Sequence, residues 1–423
     1  MVFQGYIVKN ICDSSHFNNQ PKRRPVMIIG VFGDTHDCDD NDIKAVVDEE
    51  FIPRGVKVII HTGDIQNCHV NPDLYGGLPV ICVLTKDQAF DPDFSLSPDQ
   101  WRFVRPAYHQ DPPRVAGHFT DALANQEFRE WEEYFHCQRI YCRLVPILDG
   151  EKRLVVYCGH ERSFDALINP QRVSDFFNLI NQVHDGTRLA VTGHTHHQFI
   201  YRRGDFTWVN PGAMVDSWSK TKEFAIIDTA NWEVVLGRLS NLEAKIEPVT
   251  VGIVSDTGNV DNLDRGFWRR LAGEFNKRGV THVICCGNFL PIDIGRSELA
   301  HLQVYYYLLP DFIDCNDKPD NWHLLTAKKP VAEIGGHWFY VQHGIGPEYA
   351  NFSEIESHKA FGELLNPYKH LDYVVAGLVP GTILQETETY SFINPGDARD
   401  HKYFATVCLP RGEFTASTVS ENI

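Results

Sequence analysis

The chain has 423 residues, which is long for a single core and predicts two domains. Hydrophobic residues make up 43% of it and charged residues 22%, as in an ordinary soluble globular protein. The net charge of −17 argues against stable nucleic-acid binding, which needs a concentrated Lys and Arg surface. It is compatible with a small phosphorylated ligand, because a bound divalent metal can reverse the local sign of the charge.

The cysteine content favours a reducing compartment. The eleven cysteines are odd in number and form no C-x-x-C pair, so no disulfide framework is predicted. The sequence shows no apolar run long enough to cross a bilayer and no signal-peptide pattern at its start. We therefore expect a cytoplasmic protein that does not bind membranes.

The predicted elements of the first half alternate between buried strands and helices. Residues 1–24 are predicted to form an N-terminal arm, and a helix with acidic residues at its start is predicted over 39–52. A second helix is predicted from about 121 to 135. Apolar runs that end in Gly, Asp or His predict buried parallel strands. They cover residues 26–32, 56–65, 78–84, 153–158, 188–197 and 205–214.

The pattern then starts again. Five landmarks recur in the same order. The first and the last are examples: VTVGIVSDTGN at 249–259 mirrors VMIIGVFGDTHD, and SFINPGDA at 391–398 mirrors TWVNPGAM. This predicts an internal duplication with a boundary near 240–248, giving domains at 25–240 and 248–415. The first copy carries extra residues within about 88–150, which form either a lid or a decorative surface.

Five residues of the first copy have the chemistry of metal ligands and follow predicted strands. Carboxylate and imidazole together suit Mn²⁺, Fe or Zn²⁺ rather than a Ca²⁺ site. Ligands bind at the carboxyl ends of strands in open α/β sheets, so we expect these side chains to converge there, with extended backbone within each i, i+2 pair. The candidate ligands are Asp34, His36, Asp64, His194 and His196.

These motifs resemble the calcineurin-like metallophosphoesterase family, especially its small bacterial phosphodiesterase branch. The matching segments are GDTHD (33–37), HTGDI (61–65), GHTHH (193–197) and VNPGA (209–213). The resemblance implies an α/β fold of two tandem four-layer αββα domains. It also implies a two-metal phosphoesterase that uses a metal-activated water against a small phosphodiester or phosphorylated metabolite.

The resemblance assigns the ligands unequally. For one metal it implies Asp34, His36, Asp64 and His196, all of which are present. For the second metal it implies Asp64 and His194, while the remaining positions fall in VLTKDQ and YCGHE. Cys158 aligns there with a family histidine, and Lys86 or Thr85 stands in place of a family asparagine.

This departure leaves two alternatives open. In one, a shifted second metal site uses Cys158 or His160 as a ligand. In the other, a single metal remains and Lys86 supplies positive charge where the second cation would lie. The candidate catalytic residues are accordingly His194, Lys86 and His160. Asp87 is the nearest candidate to replace the family's general acid, although a solvated loop carboxylate is the more common role for such a residue.

The second copy has lost most of the ligand pattern. Gly258 replaces the histidine of D-x-H, and GLVP (377–380) replaces GHTH, although Asp256, Asn288 and His343 remain. We expect this half to be structural, or to carry a binding surface for a protein partner. The alternative for the whole chain is a non-catalytic scaffold with a residual single-metal site, as in the small retromer subunit, which resembles this family.

Overall fold

In a computed structural model of the chain, the described residues form 22 strands, two α-helices and shorter helical segments. The residues that it describes are 27–36, 38–66, 69–84, 101–104, 144–149, 152–160, 176, 178, 180, 187–214, 222–239, 248–255, 265–286, 298–307, 319–343, 365, 367, 368, 370–377, 381–386, 390–398 and 402–419. The predicted arm, the helix predicted over 121–135, and Lys86 and Asp87 lie outside these residues. We call 27–239 the first half and 248–419 the second half.

The described strands form two large sheets, numbered β1 to β22 in chain order. The first sheet has the order β15-β14-β13-β12-β21-β22-β11-β10-β1-β2-β3-β4. Its first-half strands are β1 Ile28–Phe32, β2 Val58–His61, β3 Val80–Val83, β4 Trp101–Val104, β10 Lys222–Asp228 and β11 Glu233–Leu239. Its second-half strands are β12 Val249–Ser255, β13 Val280–Cys286, β14 Gln303–Tyr307, β15 Trp322–Leu325, β21 Tyr403–Leu409 and β22 Glu413–Thr418.

The second sheet has the order β16-β17-β18-β20-β19-β8-β9-β7-β6-β5. Its first-half strands are β5 Leu144–Asp149, β6 Lys152–Gly159, β7 Leu189–Thr192, β8 Gln198–Arg203 and β9 Phe206–Pro211. Its second-half strands are β16 Val331–Ile334, β17 His337–Gln342, β18 Tyr373–Ala376, β19 Thr382–Glu386 and β20 Ser391–Asn394.

The two halves have the same strand order in both sheets. Reading outward from the centre, the first sheet runs β11-β10-β1-β2-β3-β4 on one side and β22-β21-β12-β13-β14-β15 on the other. The halves join where β11 pairs antiparallel with β22 and where β8 pairs antiparallel with β19. Both sheets are therefore continuous across the junction of the two halves.

One apolar cluster fills the space between the sheets and draws on both halves. It includes Ile29, Val156 and Val191 from the first half and Ile253 and Val375 from the second. Such a shared core means that neither half buries its inner faces alone.

Helices cover the outer face of the first sheet. Helix α1 (Asp40–Ala45) begins at Asp39, whose side chain accepts a hydrogen bond from the Asn41 amide, and continues as a π-helix over Val46–Phe51. Pro72–Tyr75 forms a short 3₁₀ helix. Helix α2 (Arg265–Lys277) packs its apolar face on the second half of the sheet. None of the helices in the described ranges is long and apolar enough to cross a membrane.

A glycine and a phenylalanine pack in the same way in each half. A Cβ on Gly30 of β1 would lie 2.6 Å from the Phe51 ring, and a Cβ on Gly252 of β12 would lie 2.7 Å from the Phe275 ring. The helix that carries each phenylalanine can approach its strand closely because the glycine has no side chain. The repeated sequence landmarks thus correspond to a repeated packing contact.

The strands also narrow the position of the extra residues in the first half. β4 and β5 lie within the predicted insertion at 88–150, yet they correspond in strand order to β15 and β16 of the second half. They therefore belong to the repeated unit rather than to an insertion. The extra length falls between them, at 105–143, against 326–330 in the second half.

Candidate metal centre

The candidate ligands converge from four strand ends in the two sheets. Asp34 follows β1 and Asp64 follows β2 in the first sheet, whereas His160 follows β6 and His194 follows β7 in the second. The ends of these strands meet at one edge of the molecule, as expected for α/β sheets. The side chains form two groups, and within each group the ligand atoms lie within 4.8 Å of one another.

The first group contains Asp34, His36 and His196. The Asp34 side chain is fully buried, and its Oδ1 lies 3.5 Å from Nε2 of His196. The rings of His36 and His196 meet edge to face with centroids 5.5 Å apart. Among the described residues, Asp34 Oδ1 and His36 Nε2 are buried without a hydrogen-bond partner. A buried carboxylate oxygen and imidazole nitrogen left unpaired are costly unless a cation is held between them.

The second group contains Asp64, His160 and His194. Nε2 of His160 lies 3.2 Å from Oδ2 of Asp64 and 3.2 Å from Nδ1 of His194. The other ring nitrogen, Nδ1, lies 3.0 Å from the Thr62 carbonyl, to which it donates. That hydrogen bond places a proton on Nδ1 and leaves Nε2 facing Asp64 and His194, so Nε2 is the ring nitrogen that would bind a cation.

Asp34 contacts both groups. Its Oδ2 accepts a hydrogen bond of 3.1 Å from the His194 amide, and its Oδ1 lies 3.9 Å from Nδ1 of His160. The resemblance implies that Asp64 bridges two metals, and this role stays a prediction. In the structure, the Asp34 carboxylate lies beside candidate ligands of both groups.

The backbone at the site is left-handed rather than extended. Of the six non-glycine residues with positive φ in the described ranges, four are candidate ligands: Asp34 (49°), Asp64 (50°), His194 (84°) and His196 (57°). Such backbone is strained and persists only where the surroundings hold it, which is common at functional sites. The positive φ values of His194 and His196 differ from the extended backbone expected within this pair, and the two rings join different groups.

The charges of the second group are coupled. Burial of the His160 ring opposes its charged form, but the hydrogen bond to Asp64 and the nearby Asp34 carboxylate outweigh it, so the pKa of His160 is raised. The hydrogen bond from His160, against the opposing effect of burial, lowers the pKa of Asp64. Both shifts favour an ionised Asp64 and a protonated His160. A cation that binds His160 would therefore compete with a proton.

Two neighbouring side chains hold the loops that carry the ligands. His61 is fully buried, accepts a hydrogen bond at Nδ1 from the Gly63 amide, and contacts Thr35 Oγ1 through Nε2 at 3.0 Å. Asn210 of the N-P-G motif donates to the Gly193 carbonyl at 3.4 Å and to Thr195 Oγ1 at 2.9 Å. The first holds the loop before Asp64, and the second holds the loop of His194 and His196.

Of the predicted second-metal residues, the structure brings His160 into the site but not Cys158. The Cys158 side chain is fully buried in the apolar cluster between the sheets, and it joins neither group of the described residues. The strand pairing explains the difference. Gly159 pairs with Thr192 as Gln342 pairs with Ala376, so His160 corresponds to His343 of the second half.

The second half keeps the loop support without the ligands. Asn394 donates to the Gly381 carbonyl at 2.8 Å and accepts from the Gly396 amide, as Asn210 does with the Gly212 amide. His343 lies within the described ranges, but it belongs to neither metal-type group found there. The loop architecture therefore does not depend on the imidazoles of the first half.

Comparison with known proteins agrees with this site. Residues 27–231 match the model of the calcineurin-like phosphoesterase superfamily domain. No curated protein matches the chain.

Three solved structures resemble parts of the chain. An archaeal phosphodiesterase is 17% identical over 40% of this chain and 98% of its own, with a TM-score of 0.29. A predicted phosphoesterase from Streptococcus pneumoniae is 17% identical over 52% of this chain and 91% of its own, with a TM-score of 0.28. Vps29 from Entamoeba histolytica, complexed with zinc, is 16% identical over 41% of this chain and 95% of its own, with a TM-score of 0.30.

Proposed function

We propose that the first half is a metal-dependent phosphoesterase acting on a small phosphodiester or phosphorylated metabolite. The observation that carries the proposal is the pair of adjacent ligand groups, with the buried Asp34 carboxylate between them and the unpaired Asp34 Oδ1 and His36 Nε2 in one of them. Mixed carboxylate and imidazole groups suit Mn²⁺, with Fe and Zn²⁺ as alternatives. Divalent cations held there would supply Lewis-acid activation of water and neutralise charge on phosphoryl oxygens.

The residues of the chain divide the work. Asp34, His36 and His196 would hold one cation, and Asp64, His160 and His194 would hold a second. The hydrogen bond from His160 to the Thr62 carbonyl keeps the ring in the tautomer that a ligand needs. We therefore favour two cations over one. The predicted role of Lys86 as a substitute charge stays a prediction, because Lys86 lies outside the described residues.

The test is hydrolysis of bis(p-nitrophenyl) phosphate by protein loaded with Mn²⁺, together with a metal count by elemental analysis. We expect turnover and two Mn²⁺ per chain, with Asp64→Asn and His36→Ala each removing turnover and lowering the metal count. His197→Ala is the matched control, because His197 is exposed beside the site and joins neither group. Unchanged activity in both ligand variants would refute the assignment. Metal binding without turnover on a broad phosphoester panel would support a scaffold instead.

A further inference from the structure

Glu386, at the end of β19 in the second half, reaches the loops that carry the ligands of the first half. Its Oε2 accepts a hydrogen bond of 3.2 Å from the Gln198 amide, only two residues after His196. Its Oε1 forms an ion pair with Nη2 of Arg238. The Glu386 side chain is 11% exposed and that of Arg238 is 21% exposed, so water screens this pair only weakly.

Arg238 passes the contact on to a buried carboxylate. Its Nε lies 3.2 Å from Oε1 of Glu223, whose side chain is only 4% exposed. Oε2 of Glu223 accepts a hydrogen bond of 3.4 Å from the Ala213 amide. A Cβ on Gly212 would lie 2.0 Å from that oxygen, so the glycine leaves the space that Glu223 occupies. This series of contacts between charged side chains therefore ends at the loop of the N-P-G motif.

That loop contacts the first metal group through its backbone. The Met214 amide donates to the Gly33 carbonyl at 3.0 Å, directly before Asp34. Gln198 reinforces the same region, because its side-chain amide lies 3.0 to 3.3 Å from the carbonyls of Pro211, Phe224 and Gly237. The Glu386 carboxylate of the second half is thus linked to two parts of the backbone. One lies close to His196 and the other lies directly before Asp34.

The corresponding position in the other half lacks this network. Phe199 pairs with Asn210 as Ile383 pairs with Asn394, so Arg202 corresponds to Glu386. Gly30 pairs with Ile226 as Gly252 pairs with Thr406, so Tyr403, three residues before Thr406, corresponds to Glu223. Among the described residues, the ion pairs of Arg238 with Glu386 and Glu223 are therefore found beside the half that carries the metal-type groups.

We propose that Glu386 is a positioning residue for the metal centre, supplied by the second half to the first. This role rests on the proposed function, since it requires that the two ligand groups bind cations. The half that lacks the ligand pattern then contributes to the site, because its carboxylate fixes the strained loops of Asp34 and His196. Less ordering of those loops is therefore required when a cation binds.

The test is calorimetric titration of the full-length, metal-free protein with Mn²⁺. We expect Glu386→Gln to raise the Mn²⁺ dissociation constant by about tenfold or more, the usual effect of removing a group that orients ligands. Glu413→Gln is the matched control. This variant breaks the 3.2 Å ion pair of Glu413 with Arg54, and that ion pair also joins the two halves. Arg54 lies on the turn before β2, at the opposite end of the strand from Asp64. We expect the variant to change the dissociation constant by no more than about twofold.

Unfolding temperatures of the metal-free variants separate positioning from general destabilisation. If Glu386→Gln does not fold, Glu386→Asp keeps the charge but shortens its reach, and we expect weaker Mn²⁺ binding in the same direction. Equal dissociation constants for wild type and Glu386→Gln, or equal losses in Glu386→Gln and Glu413→Gln, would overturn the proposal. Mn²⁺ binding that depends on Glu386 without any hydrolysis would reject the proposed function and keep this role. A wild type that binds no divalent cation would reject both.

Discussion

The His160 ring occupies the space that a side chain on Gly63 would need. A Cβ on Gly63 would lie 2.4 Å from Nδ1 of His160, and Gly63 itself has a φ of 124°. Glycine is therefore required at this position for two reasons, one conformational and one steric. The relationship connects a residue of the loop after β2 with a candidate ligand that follows β6 of the other sheet.

Gly63→Ala should displace His160 and divide the second ligand group. We expect the variant to bind one Mn²⁺ instead of two, and to lose stability because alanine is strained at positive φ. Gly77→Ala is the control, since Gly77 has a φ of 72° but no atom within 4 Å of its Cβ position. Elemental analysis of the two variants checks the expectation. A count of two Mn²⁺ in Gly63→Ala would show that His160 is not a ligand.

Cys158 and His160 should respond differently to substitution. Cys158→Ala removes a buried sulfur from the apolar cluster, so we expect a loss of about 1 kcal/mol in the free energy of unfolding and an unchanged metal count. His160→Ala should lower the metal count by one. Urea unfolding and elemental analysis on both variants make the comparison. A reduced metal count in Cys158→Ala would restore the thiolate as a ligand.

His61 should make stability depend on pH below neutrality. Burial lowers the pKa of His61 to about 3, against 6.5 for the unfolded chain. Above pH 6.5 neither state binds the proton, whereas between pH 6.5 and about 3 only the unfolded chain does. Each unit by which the pH falls within that window should therefore lower the free energy of unfolding by about 1.4 kcal/mol.

His61→Asn is the variant that isolates this effect, because asparagine can still accept from the Gly63 amide but does not titrate. We expect it to be less stable than wild type at pH 7.5, yet to lose less stability between pH 6.5 and pH 4.5. Urea unfolding at three or four pH values gives both slopes. Parallel slopes would mean that His61 titrates normally in the folded protein.

We expect Arg202 to lower the free energy of unfolding of the protein. Its side chain is 2% exposed, and within the described ranges neither Nη1 nor Nη2 has a hydrogen-bond partner. Burial lowers the pKa of the guanidinium to about 10. Arg202→Met keeps the long apolar stem and removes the charge, so we expect a gain of about 1 to 3 kcal/mol in the free energy of unfolding. Arg203→Met, on the exposed neighbour, is the control, and a destabilised Arg202→Met would contradict the expectation.

The sequence predicted the site better than the arrangement of the halves. Strand-end motifs located Asp34, His36, Asp64, His194 and His196, because a buried apolar run followed by Gly-Asp or Gly-His is a strong local signal. At YCGHE the motif left Cys158 and His160 both open, and the pairing of β6 with β7 shows that His160 follows the strand end whereas Cys158 lies within the strand. Register is a property of the sheet, so a motif alone does not fix it.

Long-range contacts explain what the sequence did not indicate. The Glu386–Arg238 pair joins residues far apart in the chain, and no local pattern marks either one. The joining of the halves through β11–β22 and β8–β19 is likewise invisible in the repeat, which shows similarity between the copies but not how they meet. Extra residues were expected within about 88–150, and the strands β4 and β5 in that range narrow their position to 105–143.

The continuity of the sheets bears on how this protein can be handled at the bench. A fragment ending near residue 240 would leave β11 and β8 with bare hydrogen-bonding edges, each ready to pair with another molecule. It would also expose apolar side chains that face the other half in the intact chain. We expect such a fragment to aggregate or to dimerise through those two strands, with a second copy taking the place of the missing half.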